Sequence, residues 1–278
     1  MTNIERYHAR HDRAHYLAPG IFRSLQKGQR KRQKLDTTYV FGEVSLRFVG
    51  FEPLGANDMR FLQGIIALAG PHGLIMEPKP TTGAGHQLRL FLDARLAAAQ
   101  QDALVVRSSM SHLLNLVGLT DGGKNIKGLK ESLTRMANVT VYVTKKQQQA
   151  SFHLLSYVFD DNELVIAVNP RIAEAILGKI SHARIEINEV RELESDVARL
   201  IHQWLCAWID PGKKKQIGLT TIIRYLWEET ENAKTRQKRR QYVRKAMKEF
   251  EKIGWKVTEQ GSEQYEIARP KLPKPDTV

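Results

Sequence analysis

The chain has one cysteine in 278 residues, Cys206. A single thiol excludes an intrachain disulfide framework and a metal centre built from cysteines. No apolar run approaches the roughly 20 residues that a membrane-spanning helix needs. The polar, basic N-terminal stretch lacks the apolar centre of a secretory leader. The expectation is a cytoplasmic protein with no membrane partner. Catalytic signals are equally thin. A DNA-nicking enzyme needs a Tyr or Ser nucleophile beside a metal, often held by two histidines flanking an apolar residue; no His-x-His and no Asp-x-Asp occurs. Gly118–Lys124 has the spacing of a phosphate-binding loop, but Asn125 stands where magnesium binding needs Ser or Thr, and a helix rather than a strand precedes it. The acids Glu186, Glu189, Glu192 and Glu194 sit where they answer a helix dipole. Cys206, between Leu205 and Trp208, reads as an inert core thiol. No enzyme activity, cofactor or metal is expected.

What is present is positive charge. The net charge is +13 and the isoelectric point about 9.8. Residues 1–34 carry nine Lys/Arg against two acids, and residues 213–252 thirteen against five, so the remainder is slightly acidic. Concentrated cation seeks a polyanion, with salt-sensitive affinity. Anionic lipid is the rival, but neither block interleaves Trp, Phe or Leu as a membrane-surface helix does.

The second block contains the most informative stretch, residues 233–253. From Val243 onward, Val243, Ala246, Met247, Phe250 and Ile253 recur at helical spacing and form one apolar face. From Lys234 to Gln241 no large apolar residue occurs; Arg236, Lys238, Arg239 and Arg240 stand among polar neighbours, with Arg244 one turn on. A helix anchored at its C-terminal half and cationic at its N-terminal half has the form of a DNA recognition helix. The plain alternative is a solvated basic helix.

In chain order, residues 1–36 read as a solvated basic arm. His8, His11 and His15 lack the second half of a metal site, and Arg30, Lys31 and Arg32 suit phosphates. A hairpin is expected over 38–51, then a helix capped by Asn57 and stopped by Gly70-Pro71. After a loop at 77–85, strands are expected at Leu88–Leu92 and Val105-Val106. A helix from Ser109 or Ser111, a turn at 120–123, and a second helix with Lys124, Lys127 and Lys130 outward lead to a hairpin whose tip carries Lys145 and Lys146. That is winged-helix order. A strand at 163–168, a helix from Pro170 and a strand at 184–187 precede one long helix from Asn188 to Trp208. Then come a basic loop at Lys213–Lys215, a helix capped by Thr220, the 233–253 helix and a second hairpin. The expected fold class is α+β, two winged-helix domains in tandem: an arm at 1–36, a first domain at 37–180, a second at 181–269 and a disordered tail at 270–278.

The runs His11–Gly20, Arg30–Asp36, Glu52–Gly55, Leu62–Gly64, Gln87–Leu92, Leu200–Lys213 and Arg236–Gln241 resemble RepC, the replication initiator of IncQ-type broad-host-range plasmids. The resemblance covers residues 11–270. It implies binding to tandem repeats (iterons) of double-stranded DNA at a plasmid origin, help in opening an adjacent AT-rich stretch, and admission of the plasmid helicase and primase. Related initiators use the first domain to dimerise and the second to read the major groove, which leaves a homodimer open here. The DNA role carries over onto Arg236, Lys238, Arg239 and Arg240, and onto Arg30, Lys31 and Arg32 of the arm. A transcriptional repressor of the same fold is the alternative.

Overall fold

The computed structural model describes residues 7–25, 28, 30, 33–72, 74–76, 103–160, 163–261 and 263–272. The stretch expected to be a solvated arm is part of the core. His8–Asp12 form strand β1 and Arg13–Leu17 helix α1, with Asp12 accepting from the Ala14 amide as its cap. Phe22–Arg23 form the short β2. β1 pairs antiparallel with a strand far along the chain, Ala9 opposite Ile185 and Asp12 opposite His182. His11, Asp12, His15 and Tyr16 are buried. His11 stacks on Tyr16 with centroids 4.1 Å apart, and His15 Nδ1 lies 2.9 Å from Asp12 Oδ2. The buried positions are Ala9, His11 and Asp12, so the strand reads as polar, and its partner lies beyond any local window.

The expected hairpin is present as β3 (Leu35–Phe41) and β4 (Val44–Gly50). β5 (Leu54–Gly55) pairs with β2 and leads into α2 (Ala56–His72). Asn57 lies inside that helix and does not cap it; Asp58 reaches back instead, its Oδ2 2.7 Å from the Gly55 amide. The helix also runs through Gly70 and Pro71. β6 (Leu74–Met76) follows. The strand expected at 88–92 and the loop at 77–85 lie outside the described residues. β7 (Ala103–Ser109) enters α3 (Met110–Leu116), whose cap is Ser109, and a turn leads to α4 (Gly123–Ala137). β8 (Thr140–Lys145) and β9 (Gln148–His153) make the expected hairpin, turning at Lys146 with φ 54°.

The returning strand does not run on to Val158. It breaks at Leu154, whose amide bonds the Val139 carbonyl at 2.8 Å. Beyond the break, β10 (Leu155–Asp160) and β11 (Glu163–Val168) join β7 and β6 in a sheet of order β10-β11-β7-β6, while the hairpin extends β3 and β4 into β3-β4-β8-β9.

Asn169 caps α5 (Pro170–Ile176), and β12 (His182–Glu186) is the partner of β1. The single helix expected from Asn188 is two: α6 (Ile187–Glu192) and α7 (Asp196–Trp208). Leu193 is extended, and Ser195 starts the second helix by accepting from the Ala198 amide. Continuous apolar periodicity hid this cap. The basic stretch expected as a loop contributes Lys214 and Lys215 to β13 (Lys214–Gly218). α8 (Leu219–Leu226) starts at Gly218, not Thr220. α9 (Ala233–Glu249), prolonged by a 3-10 turn at Phe250–Ile253, precedes β14 (Lys256–Gln260) and β15 (Gln264–Ala268), in a sheet of order β13-β15-β14. Most of the tail expected to be loose, from residue 273, lies outside the described residues.

One apolar cluster runs from Ala9 to Ile267. α2 lies at its centre. Its Gly64 faces α3 so closely that a Cβ there would stand 2.5 Å from Val117 Cγ1. Among the described residues, no helix is long and apolar enough to cross a membrane.

Candidate nucleic-acid interface

α9 is held by its C-terminal half. Val243, Ala246, Met247 and Phe250 are buried, and the Glu249 carboxylate accepts from the Glu194 and Ser195 amides at 2.8 and 3.0 Å, tying the helix to the start of α7. Those two bonds hold the Glu249 pKa below its ordinary value although partial burial opposes this. At the other end Asn232 caps the helix by accepting from the Thr235 amide at 2.9 Å. The front turns are largely exposed.

The cations expected to act together have separate fates. Arg239 is folded back: its guanidinium sits over the Trp227 ring, 5.5 Å from the centroid, and donates to the Glu228 carbonyl at 2.5 Å. Burial pulls its pKa down despite the nearby Glu228 carboxylate. Arg240 Nη1 lies 2.6 Å from Glu263 Oε1 in the second hairpin, and Arg244 Nε lies 3.7 Å from Glu259 Oε1 of β14. Arg236 and Lys238 are exposed and meet no carboxylate within ion-pair distance among the described residues.

Helical geometry explains the division. At about 100° per residue, Arg236, Arg239 and Arg240 lie on the side that continues the buried face of Val243 and Met247. Lys234, Lys238, Gln241 and Lys245 lie on the opposite side, one or two turns apart, and all are exposed. The outward row that faces solvent is therefore lysine and glutamine, with Gln237 beside it. Charge density alone pointed to the arginines; the phase of the apolar residues contained the signal for the lysines.

The N-terminal segment braces this end of the helix. Arg23 forms an ion pair with Glu228, Gln33 Nε2 donates to the same carboxylate at 3.0 Å, and the Ser24 amide bonds the Leu226 carbonyl at 3.1 Å. Arg30, expected to lie along phosphates, is occupied: its Nη1 donates to Asp58 Oδ2 at 2.9 Å and to the Pro53 carbonyl at 2.6 Å. Asp58 is fully buried and also accepts from Ser132 at 2.5 Å and from Arg135 at 2.7 Å, so it joins the segment to α4. Lys31 and Arg32 lie outside the described residues.

In the first helix-turn-helix-hairpin unit, Lys124 and Lys127 are exposed on the opening turns of α4. Lys130 lies over the Phe159 ring at 5.5 Å. Lys145 and Lys146 are exposed at the hairpin tip, with Lys145 Nζ 3.7 Å from Glu43 Oε2.

Two other features bear on chemistry. Glu189, His202 and Cys206 bring donor atoms within 4.8 Å of one another. Both Glu189 Oε2, at 2.6 Å, and Cys206 Sγ, at 3.5 Å, approach the same ring nitrogen, His202 Nε2. A nucleophile–base–orienter relay needs opposite nitrogens. Burial pushes the imidazole pKa down, but Cys206 and Glu189 outweigh it and hold it at about 10. The trio is a buried His202–Glu189 pair with Cys206 beside it. A cleft of about 650 Å³ is lined by Arg10, Arg13, Lys179, His182, Arg184 and Arg269. Most of its cations are answered: Arg13 by Asp210, Arg184 by Glu186, and Arg269 by the Cys206, Ile209 and Arg184 carbonyls.

The fold is shared with known structures. Domains 2 and 3 of RctB, solved as selenomethionine derivatives, superpose with a TM-score of 0.56 at 9% identity, covering 92% of this chain and 97% of that one. A second structure of RctB domains 2–3 gives 0.55 at 10% identity, covering 93% and 97%. At such identity the likeness is one of fold alone. No curated protein is significantly similar to the chain. The family model for replication protein C (RepC) matches residues 3–271. Because that match spans nearly the whole chain, the chain belongs to the RepC family of replication proteins.

Proposed function

We propose that this protein is a plasmid replication initiator without catalytic activity. Its two helix-turn-helix-hairpin units act as winged helices on tandem origin repeats, and the bound assembly helps open adjacent DNA and admits the replicon's helicase and primase in the cytoplasm. The observation that carries the reading is the outward row on α9, Lys234, Lys238, Gln241 and Lys245, exposed at the end of a helix whose other half is anchored in the core. Entry of its front turns into one major groove, with α4 in the next, would span about 20 bp. Lys124, Lys127, Lys145 and Lys146 would hold phosphates without reading sequence. Gel-shift titration against DNA of the protein's own replicon tests this. Saturable binding to repeated sites, in large excess over unrelated DNA, is expected; equal affinity for both would end the proposal. Permanganate footprinting of supercoiled origin DNA separates initiator from repressor: reactive thymines beside the repeats support opening, and none would favour repression. A nicked product or covalent adduct with magnesium would make the protein an enzyme.

A further inference from the structure

A second cationic cluster lies where the two units meet. Arg60 of α2 is 5% exposed, and its Nη2 donates to the Gly118 carbonyl at 3.3 Å, at the start of the turn between α3 and α4. Gly118 has φ +75°, and a Cβ there would stand 3.2 Å from Arg60 Nη2 and 3.2 Å from Arg191 Nε. The guanidinium groups of Arg60 and Arg191, the latter from α6, thus crowd one glycine. Arg199 of α7 adds a third charge, near enough to Arg60 to lower its pKa; its Nη1 lies 3.3 Å from Asp196 Oδ1, the one carboxylate paired with it among the described residues. Arg191 has no hydrogen-bond or carboxylate partner among the described residues. The Nε atoms of both Arg60 and Arg199 are buried with no hydrogen-bond partner. Burial first, then Arg199 and Arg191, push the Arg60 pKa down to about 10, with Asp196 alone opposing.

Buried arginine N–H groups are almost always bonded, because an unmet charged donor costs more than a neutral one. Like charges crowded without an anion are a further cost. A tetrahedral oxyanion at the outer ends of these guanidinium groups relieves the like-charge crowding. A carboxylate is planar and is satisfied by one guanidinium fork, whereas several arginines borne by three helices suit the several oxygens of a phosphate.

We propose that Arg60, Arg191 and Arg199 form a phosphate-binding site beside the Gly118 turn. The phosphate comes either from the backbone of bound DNA, an arm that rests on the function proposed above, or from a free oligophosphate, an arm that does not. The test uses the full chain, Arg191→Gln and Arg199→Gln, both outside the deepest packing. Thermal unfolding is followed with and without inorganic pyrophosphate, and affinity for origin DNA is measured across a salt series. Without anion, the variants should melt at or above the wild-type temperature, since each removes one of several like charges. If the source is free, pyrophosphate raises the wild-type midpoint and leaves the variants unmoved. If the source is DNA, each variant lowers the slope of log affinity on log salt by about 1 with the specificity ratio unchanged, whether or not pyrophosphate shifts the midpoint. No stabilisation by pyrophosphate together with an unchanged slope in both variants overturns the site while leaving DNA binding intact. If the wild type does not bind origin DNA, the functional reading falls, and pyrophosphate stabilisation alone decides the site.

Discussion

Arg240 and Glu263 face each other across the gap between α9 and the β14–β15 hairpin, Nη1 2.6 Å from Oε1, with side chains 46% and 37% exposed. A phosphate approaching this helix meets a cation already engaged. Glu263→Gln should therefore tighten DNA binding. An exposed pair is worth about 0.4–1 kcal/mol, so the gain should be about two- to fivefold at low salt and fade as salt rises. Fluorescence anisotropy at two ionic strengths measures it; weaker binding would mean that the ion pair positions Arg240 for DNA.

Lys238 and Arg239 are neighbours with opposite orientations. Lys238→Ala should leave the melting temperature unchanged and weaken origin binding. Arg239→Ala removes the stack on Trp227 and the bond to the Glu228 carbonyl, and should cost about 0.5–1 kcal/mol of stability. Paired melts and gel shifts check both. A melting loss from Lys238→Ala would place that side chain inside the fold.

Asp58 joins the N-terminal segment, α2 and α4 through Arg30, Ser132 and Arg135. Asp58→Ala leaves two arginines facing a fully buried gap and should destabilise by about 3–5 kcal/mol. Urea unfolding reads the loss directly. An effect below about 1 kcal/mol would show that water replaces the carboxylate.

Stability should depend on pH in both directions. The His202 pKa is raised from 6.5 to about 10, so its contribution is complete below 6.5 and is lost as pH climbs toward 10. Burial lowers His11 from 6.5 to about 3, with His15 adding to the shift, so the unfolded chain takes up that proton first and stability falls as pH drops below 6.5. His202→Gln should flatten the alkaline limb and spare the acidic one. Urea midpoints at about pH 4, about pH 6.5 and about pH 9 compare the two.

The hairpins, the helix over 233–253 and the Ser109 cap were legible because each is written locally, as in the alternation of Val44–Val49 and the apolar steps from Val243; the Gly70-Pro71 stop and the Asn57 and Thr220 caps misled. The β1–β12 pairing was not legible, because β1 buries a small residue and two polar ones, Ala9, His11 and Asp12, and its partner is remote. The split at Leu193 was masked by apolar spacing that continues through it. At the candidate site, positive charge was visible, but its distribution was not. The hairpin acids Glu259 and Glu263 and the Trp227 platform become neighbours of α9 only after folding, and they occupy the arginines that composition favours. Arg60 and Arg191 are remote in the sequence and meet only at the Gly118 turn.

The pairing of β1 with β12 has a consequence for synthesis. A strand made among the first residues must wait, unpaired, until residues 182–186 have left the ribosome, and closing so long a loop is slow. The segment that braces α9 is tied to that wait. A chain cut between the two units would strand each with half of a shared seam, so DNA-binding competence should arrive in one late step, when the whole polypeptide closes on itself.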